Sequence, residues 1–330
     1  MPSANGWLCL HTSDDREDDS HLSLSLDNRG LEYGDGFFTT MGVVDGKILW
    51  LNHHHQRLTS HASALQIELD SHSIITALQR HAQRLQRGML KLIVTRAAQD
   101  IRGYGYKSSA SGSACEVWLK SSLMTVATEK QIHLADNQPI PIQPASTAIC
   151  LSSRIACLPP PLAGLKSLNR LDTVLASAEL QRIKADLLKG KSSESHVALD
   201  IGEGLVRDMS GHWVEGTMSN VFYQLVEEPA SLHVSKARSS EPTNLNDNPT
   251  NYLTKGQWYT PSMAQSGVAG VMRQVIIDAL SNTNSPVIIR SLQDEDLPRL
   301  KRLFFCNALR GIMPMSSLML LNNAIVTTSV

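Results

Sequence analysis

Short apolar runs separated by turn residues open the chain, and the 3.6-residue spacing of a helix takes over only near residue 50. FFTTMGVV and KILWL, with DGK between them, predict a hairpin, while NRG and GDG upstream read as turns. From about Asn52, Leu58, Ala62 and Leu65 recur on one helical face. A second helix with a polar face is expected from about Ser73 to Arg87, and LKLIVTR and CEVWLK then read as strands. The prolines of NQPIPIQPAS disfavour a central strand or a helix interior. They place a linker at 136–146, between a domain of residues 1–135 and one of residues 147–330.

The second half begins with the strand TAICLSS and a helix from about Asn169 to Lys189. Three strand candidates follow, HVALDIG, LVRDMS and HWVEGTMSNVFYQLV, and they suggest a hairpin sheet. Residues 227–256 are dominated by Ser, Pro, Asn and charges, which read as a surface insertion. Order is expected to return with QWYTPS, then GVAGVMRQVIIDAL, where a glycine turn opens an apolar-periodic helix, and then the strand RLFFCNAL. The chain carries no internal repeat.

Composition narrows the class. Over 330 residues, 42% are apolar and 18% charged, with a formal net charge of -1. That balance supplies no electrostatic footprint for nucleic acid or an anionic membrane, so a small-molecule substrate is expected. Cys9, Cys115, Cys150, Cys157 and Cys306 form no CxxC pair, which reads as buried thiols in a reducing compartment. The first residues show no basic region followed by an apolar core, and a cytoplasmic enzyme or binding protein is the expectation. KGKSS (189–193) has Ala185 where a phosphate loop needs glycine. The consecutive His53, His54 and His55 point in different directions on a helix, so no metal is expected.

Four features carry possible chemistry. Lys166, in AGLKSLNRLD, follows the turn LPPPLAG and precedes a helix. Alone it is an ordinary solvated charge; partly buried, it could form a Schiff base. Glu215, in HWVEGTMSN, could pair with the nitrogen of a pyridine ring, or be a solvated strand glutamate. GVAGVMR enters its helix so that the backbone N–H groups of Val271 and Met272 form an anion seat. Arg57, in HHHQRL, could add a bidentate contact to phosphate.

In order, RGLEYGDGFFTT, HHHQRL, LKLIVTR with RGYGY, AGLKSLNRLDTVLA, VEGTMSNVF, YTPSMAQSGVAGVMRQ and FFCNALRGIMP resemble the fold-type IV pyridoxal-phosphate enzymes. That group holds branched-chain and D-amino-acid aminotransferases and aminodeoxychorismate lyases. The resemblance implies an α/β (α+β) chain with a smaller N-terminal α/β domain, a larger C-terminal domain with a pseudo-barrel sheet, the cofactor between them, and a homodimer. It implies that Lys166 is the Schiff-base lysine and proton shuttle, that Arg57, Val271 and Met272 hold phosphate, and that Glu215 meets the ring nitrogen. Thr217, Ser219 and Asn307 are then further cofactor contacts. FFTT, GLKSLNRL and the RGY loop look like the lyase branch, whose activity converts 4-amino-4-deoxychorismate to 4-aminobenzoate and pyruvate in folate biosynthesis. The alternative is an aminotransferase acting on D-amino or branched-chain amino acids. A substrate with two carboxylates needs cations, and Arg102 and Arg96 are the candidates. Thr39 and Thr40 alternate across a strand, so one of them faces the cofactor; Thr40 is favoured for the catalytic face and Thr39 for substrate binding.

Overall fold

The computed structural model describes residues 7–10, 24–107, 115–125, 131–133, 139–189, 200–226 and 252–330. The acidic stretch 14–19, residues 190–193 of KGKSS and residues 227–251 of the expected insertion lie outside the described residues. The backbone falls into two compact units: residues 1–126 with 158–170, and residues 127–157 with 171–330. The linker expected at 136–146 therefore falls within the second unit, and the lysine segment, expected in the second domain, packs with the first.

The first unit is an antiparallel sheet faced by two helices. Its elements are β1 (Trp7–Cys9), α1 (Arg29–Tyr33), β2 (Gly36–Val44), β3 (Lys47–Ile48), α2 (Leu51–Ala64), α3 (Ser71–Leu85), β4 (Gly88–Arg96) and β5 (Cys115–Ser122). The strand order is β1-β5-β4-β2-β3. Asp45 and Gly46, with φ of 51° and 70°, turn β2 into β3 as DGK suggests. Phe37, Met41, Val43, Leu90, Leu92, Val94, Val117 and Leu119 fill one core with Leu58 and Ala62 of α2 and Ile74, Leu78 and Ala82 of α3. Alternation along β2 sends Phe37 and Thr39 into that core and Phe38 and Thr40 to the other face.

The second unit begins with β6 (Gln131–His133), β7 (Pro139–Pro141), β8 (Ser146–Ile155), α4 (Leu171–Lys189) and β9 (Ile201–Asp208). It continues with β10 (Trp213–Gly216), β11 (Asn220–Leu225), β12 (Tyr259–Thr260), α5 (Val271–Leu280), β13 (Ile288–Ile289), β14 (Leu300–Asn307), β15 (Gly311–Met319) and β16 (Ile325–Thr327). The order β10-β9-β8-β15-β14-β11 closes on itself because β10 also pairs with β11, through Glu215 and Asn220. A closed, barrel-like sheet results, as the resemblance implies. β8 is buried on both faces: Ala148 and Cys150 enter one apolar cluster, Ile149 and Leu151 another that includes Ala176 and Leu180 of α4.

Four sequence expectations change. HWVEGTMSNVFYQLV, expected as one strand, is two, β10 and β11, which pair antiparallel across the corner at residues 217–219. Ile201 and Gly202, the end of HVALDIG, and Leu205–Asp208 of LVRDMS lie in one strand, not two, and residues 196–199 lie outside the described residues: Gly202 and Gly204 flank Glu203 inside β9, and a Cβ on Gly204 would stand 2.7 Å from Leu151, so glycine here marks close packing, not a turn. PIP forms β7, because in a two-stranded ribbon with β6 both strands are edges, where proline is tolerated. The insertion ends before 256. Tyr252 and Leu253 are 7% and 3% exposed, and Arg302 stacks on the Tyr252 ring at 4.4 Å. Cys115, Cys150 and Cys306 are buried, while Cys157 is exposed and Cys9 lies between these extremes. Among the described residues, no helix is long and apolar enough to cross a membrane.

Candidate active site

Lys166 sits on a segment that extends the edge of β2 in the first unit. Its carbonyl accepts the Phe38 N–H at 3.0 Å, and the Leu168 N–H donates to the Gly36 carbonyl at 3.0 Å. Its own N–H donates to Nε2 of His61 at 2.9 Å. Both backbone polar groups of the lysine are thus fixed. The half-buried side chain carries Nζ to 4.5 Å from the Phe38 ring centre, on the face of β2 that also bears Thr40. Lys91 of β4 pairs directly with Thr40, and its Nζ lies 5.3 Å from the same ring. Two ammonium groups therefore share one aromatic platform.

Helical periodicity aligns the polar residues of α2. His54, Arg57 and His61 lie on its buried face beside Leu58. Burial lowers the Arg57 guanidinium to about 10, so an anion against it would restore what burial costs. Burial, then the charges of Arg57 and Lys166, bring His61 down to about 3, and His54 is held well below its ordinary value by burial and then by Arg57. Nδ1 of His54 is 2.9 Å from the Thr39 hydroxyl. Thr39 is fully buried. It belongs to this core contact, so its expected substrate role is corrected; Thr40 is the threonine on the lysine face.

Arg96 is also corrected. Its guanidinium donates to Asp35 at 2.9 Å and to the carbonyls of Gln66 at 2.8 Å and Leu65 at 2.6 Å, beneath the Tyr106 ring at 3.7 Å. Asp35 takes the fork of Nε and Nη2, and the two carbonyls take Nη1 and Nη2, so both forks of the guanidinium are turned to the protein. Arg29 shares Asp35 at 3.0 Å and donates to the carbonyls of Gly103 and Tyr104. This clamp fixes the loop that presents Arg102, which is exposed.

In the second unit, Glu215 is 5% exposed and accepts the Val268 N–H at 2.8 Å. Asn220 donates to the Val268 carbonyl at 2.8 Å, and Ser266 donates to Asp208 at 2.8 Å. The glycine turn is thereby pinned ahead of α5. No side chain caps the first turn of α5, and a Cβ on its N-cap Gly270 would collide with Oδ1 of Asn220. Backbone N–H groups at Val271 and Met272 thus begin a helix whose N-terminus is suited to an anion.

Glu203 falls between the two expected strands and carried no expectation of its own, yet it is 2% exposed and organises the corner after Glu215. It accepts the Thr217 N–H at 3.1 Å, the Thr217 hydroxyl at 2.6 Å and the Ser219 hydroxyl at 2.6 Å. Those two hydroxyl protons are therefore spent on Glu203. Asn307 uses Oδ1 to accept the N–H groups of Leu309 and Arg310 at 3.1 and 2.8 Å, which shapes the β14–β15 turn. The expected cofactor contacts Thr217, Ser219 and Asn307 act first on the protein itself. His61 carried a findable signal, its spacing of four from Arg57; Glu203 carried none.

Each unit by itself carries groups whose chemistry fits part of an aldehyde-bearing pyridine phosphate: the first a primary amine and a buried guanidinium, the second a buried carboxylate and an uncapped helix start whose N-cap has no room for a Cβ. The family described as amino-transferase class IV matches residues 36–318. The chain is 22% identical to an aminodeoxychorismate lyase of Vibrio harveyi over 89% of this chain and 86% of that protein. Its fold is similar to 4-amino-4-deoxychorismate lyase from Pseudomonas aeruginosa, with a TM-score of 0.66, 29% identity and coverage of 90% and 88% of the two chains. It is also similar in fold to a hypothetical aminotransferase from Mycobacterium tuberculosis in its PLP-bound form. There the TM-score is 0.60 and the identity 18%, over 91% of this chain and 87% of that one.

Proposed function

The chain belongs to the class IV amino-transferase family, and from that premise we propose that it converts 4-amino-4-deoxychorismate to 4-aminobenzoate and pyruvate. Its cofactor is pyridoxal 5'-phosphate. When bound, that group withdraws electrons from the carbon bearing the substrate's amino group. Lys166 would hold it covalently at rest, Arg57 and the N–H groups of Val271 and Met272 would hold its phosphate, and Glu215 would keep the ring nitrogen protonated.

In the reaction, Lys166, released as a free amine, removes the proton at C4 of the substrate ring. The bond from C3 to the enolpyruvyl oxygen breaks, the ring becomes aromatic, and Lys166 returns the proton to the methylene carbon of the departing pyruvate. No oxidant or water is consumed. Phe38 supports the ammonium form of the lysine through its ring face, and Thr40, on the same face, orients the amine or the reacting carbon. The two substrate carboxylates are assigned to Arg102 and, in place of Arg96, to Lys91.

The observation that carries the reading is the β2 face beneath Lys166, which presents the Thr40 hydroxyl and no carboxylate, with the Lys91 ammonium directly opposite. The similarity to the lyases of Vibrio harveyi and Pseudomonas aeruginosa supports it. The test is borohydride reduction of the yellow holoenzyme followed by peptide mass mapping. A phosphopyridoxyl group on Lys166 is expected, and modification elsewhere contradicts the assignment. The second reading, an aminotransferase, is favoured by the family's description. It predicts amino exchange between an amino acid and a 2-oxo acid at rates above those of pyruvate release. A homodimer belongs to the same proposal and is checked by light scattering of the holoenzyme.

A further inference from the structure

The cofactor lysine is held by a side chain that none of the reaction steps uses. We propose that His61 is a positioning residue that, in its Nδ1-protonated neutral form, fixes the main chain of Lys166 and so sets the reach of its amine. The inference rests on the reading of Lys166 given above.

The direction of one hydrogen bond fixes the imidazole's tautomer. A main-chain N–H can only donate, so Nε2 of His61, 2.9 Å from the Lys166 nitrogen, must be a bare lone pair. The ring proton is then on Nδ1, which lies 3.3 Å from the Ser60 hydroxyl oxygen. That hydroxyl in turn donates to the Arg57 carbonyl at 3.3 Å, so its lone pair is available to the ring N–H. The tautomer is thus set from both ends.

Packing fixes the ring plane. His61 is 5% exposed, and Phe37 meets it edge-to-face with ring centres 5.5 Å apart. Phe37 precedes Phe38, the residue whose N–H binds the Lys166 carbonyl and whose ring underlies the Lys166 amine. One strand and one helix therefore grip the lysine at N–H, C=O and side chain together. The charges facing the imidazole are Arg57 on its own helix and Lys166 on the packed segment, both cationic, and with burial they keep it neutral. An imidazolium could not accept the Lys166 N–H and would lie against two cations.

Removing the acceptor leaves the part-buried Lys166 N–H without this partner and frees the main chain to shift, which displaces the amine. Losing one hydrogen bond of this kind corresponds to about fivefold in an equilibrium. The experiment compares two ligands on the cofactor-free chain: pyridoxal phosphate, which bonds to Lys166, and 4-deoxypyridoxine phosphate, which has the ring and phosphate but no aldehyde. His61→Leu is expected to weaken the first about fivefold or more and leave the second unchanged, and His61→Gln, whose carbonyl can accept the same N–H, is expected to restore the first. Equal weakening of both ligands, or of neither, overturns the positioning role while the cofactor reading stands. If the wild-type chain forms no reducible adduct on Lys166, the cofactor reading falls first and the role of His61 with it. Should His61→Leu fail to fold, ring-nitrogen NMR shifts of wild-type His61 decide: a proton on Nδ1 supports the proposal, and a proton on Nε2 overturns it.

Discussion

Single residues in this protein are tuned by burial more than by pairing. His61 has an ordinary value of 6.5 and is brought down to about 3, with His54 shifted the same way. Because the folded value is depressed, the unfolded chain takes up protons that the folded chain refuses. The histidines cost nothing above pH 6.5; for His61 stability is lost as pH falls from about 6.5 toward 3, at about 1.4 kcal/mol per pH unit, and His54 acts in the same direction. Urea unfolding from pH 7 to 4 should show this slope, and His61→Gln should flatten it by roughly one group's share; an unchanged slope would mean that the imidazole is charged in the fold. Lys166→Ala is expected to abolish turnover and the visible absorbance together. Retained absorbance would place the adduct on another amine.

Elements turn those residues into a site, and the separation of structural from functional arginines is decided at this scale. Arg96 ties β4 to Asp35 and to the last carbonyls around α2, so Arg96→Ala should lose about 2 to 3 kcal/mol of stability, measured by denaturant midpoint. Arg102→Ala, on the exposed loop, should leave stability within about 0.5 kcal/mol and raise KM instead. The reverse pattern would exchange their roles. The entry to α5 offers a third case: Gly270→Ala would drive its Cβ toward the Asn220 side chain that pins the glycine turn. Weaker binding of 4-deoxypyridoxine phosphate, by about tenfold, is expected because the anion seat must shift. Unchanged binding would show that the phosphate is held elsewhere.

At the scale of the whole molecule, periodicity sufficed for the helices α2, α3, α4 and α5 and for the strands β2, β4, β5, β8 and β14, since those signals are local, whereas β9 was read as two strands and β15 carried no expectation. The closing of the second sheet through Glu215 and Asn220 was not legible without the resemblance, because strand order depends on contacts between distant segments. The return of the lysine segment to the first unit was hidden for the same reason. Lys166, Glu215, Arg57 and the glycine turn stood out as candidates through their order along the chain. Glu203 and Lys91 did not: a charge within a strand, as Lys91 is, reads as solvent-facing until the fold shows where it points, and a charge between two expected strands, as Glu203 is, reads as part of a turn. Arg96 was misread in the opposite sense, since a basic residue at a strand end looks available until Asp35 and Tyr106 are seen around it.

The central claim joins Lys166 to elimination chemistry, and it is tested most directly by supplying freshly made 4-amino-4-deoxychorismate to the holoenzyme and quantifying both products. Pyruvate and 4-aminobenzoate in equal amounts, with Lys166→Ala silent, is the predicted result. Amino exchange with 2-oxo acids in the absence of pyruvate release would contradict it.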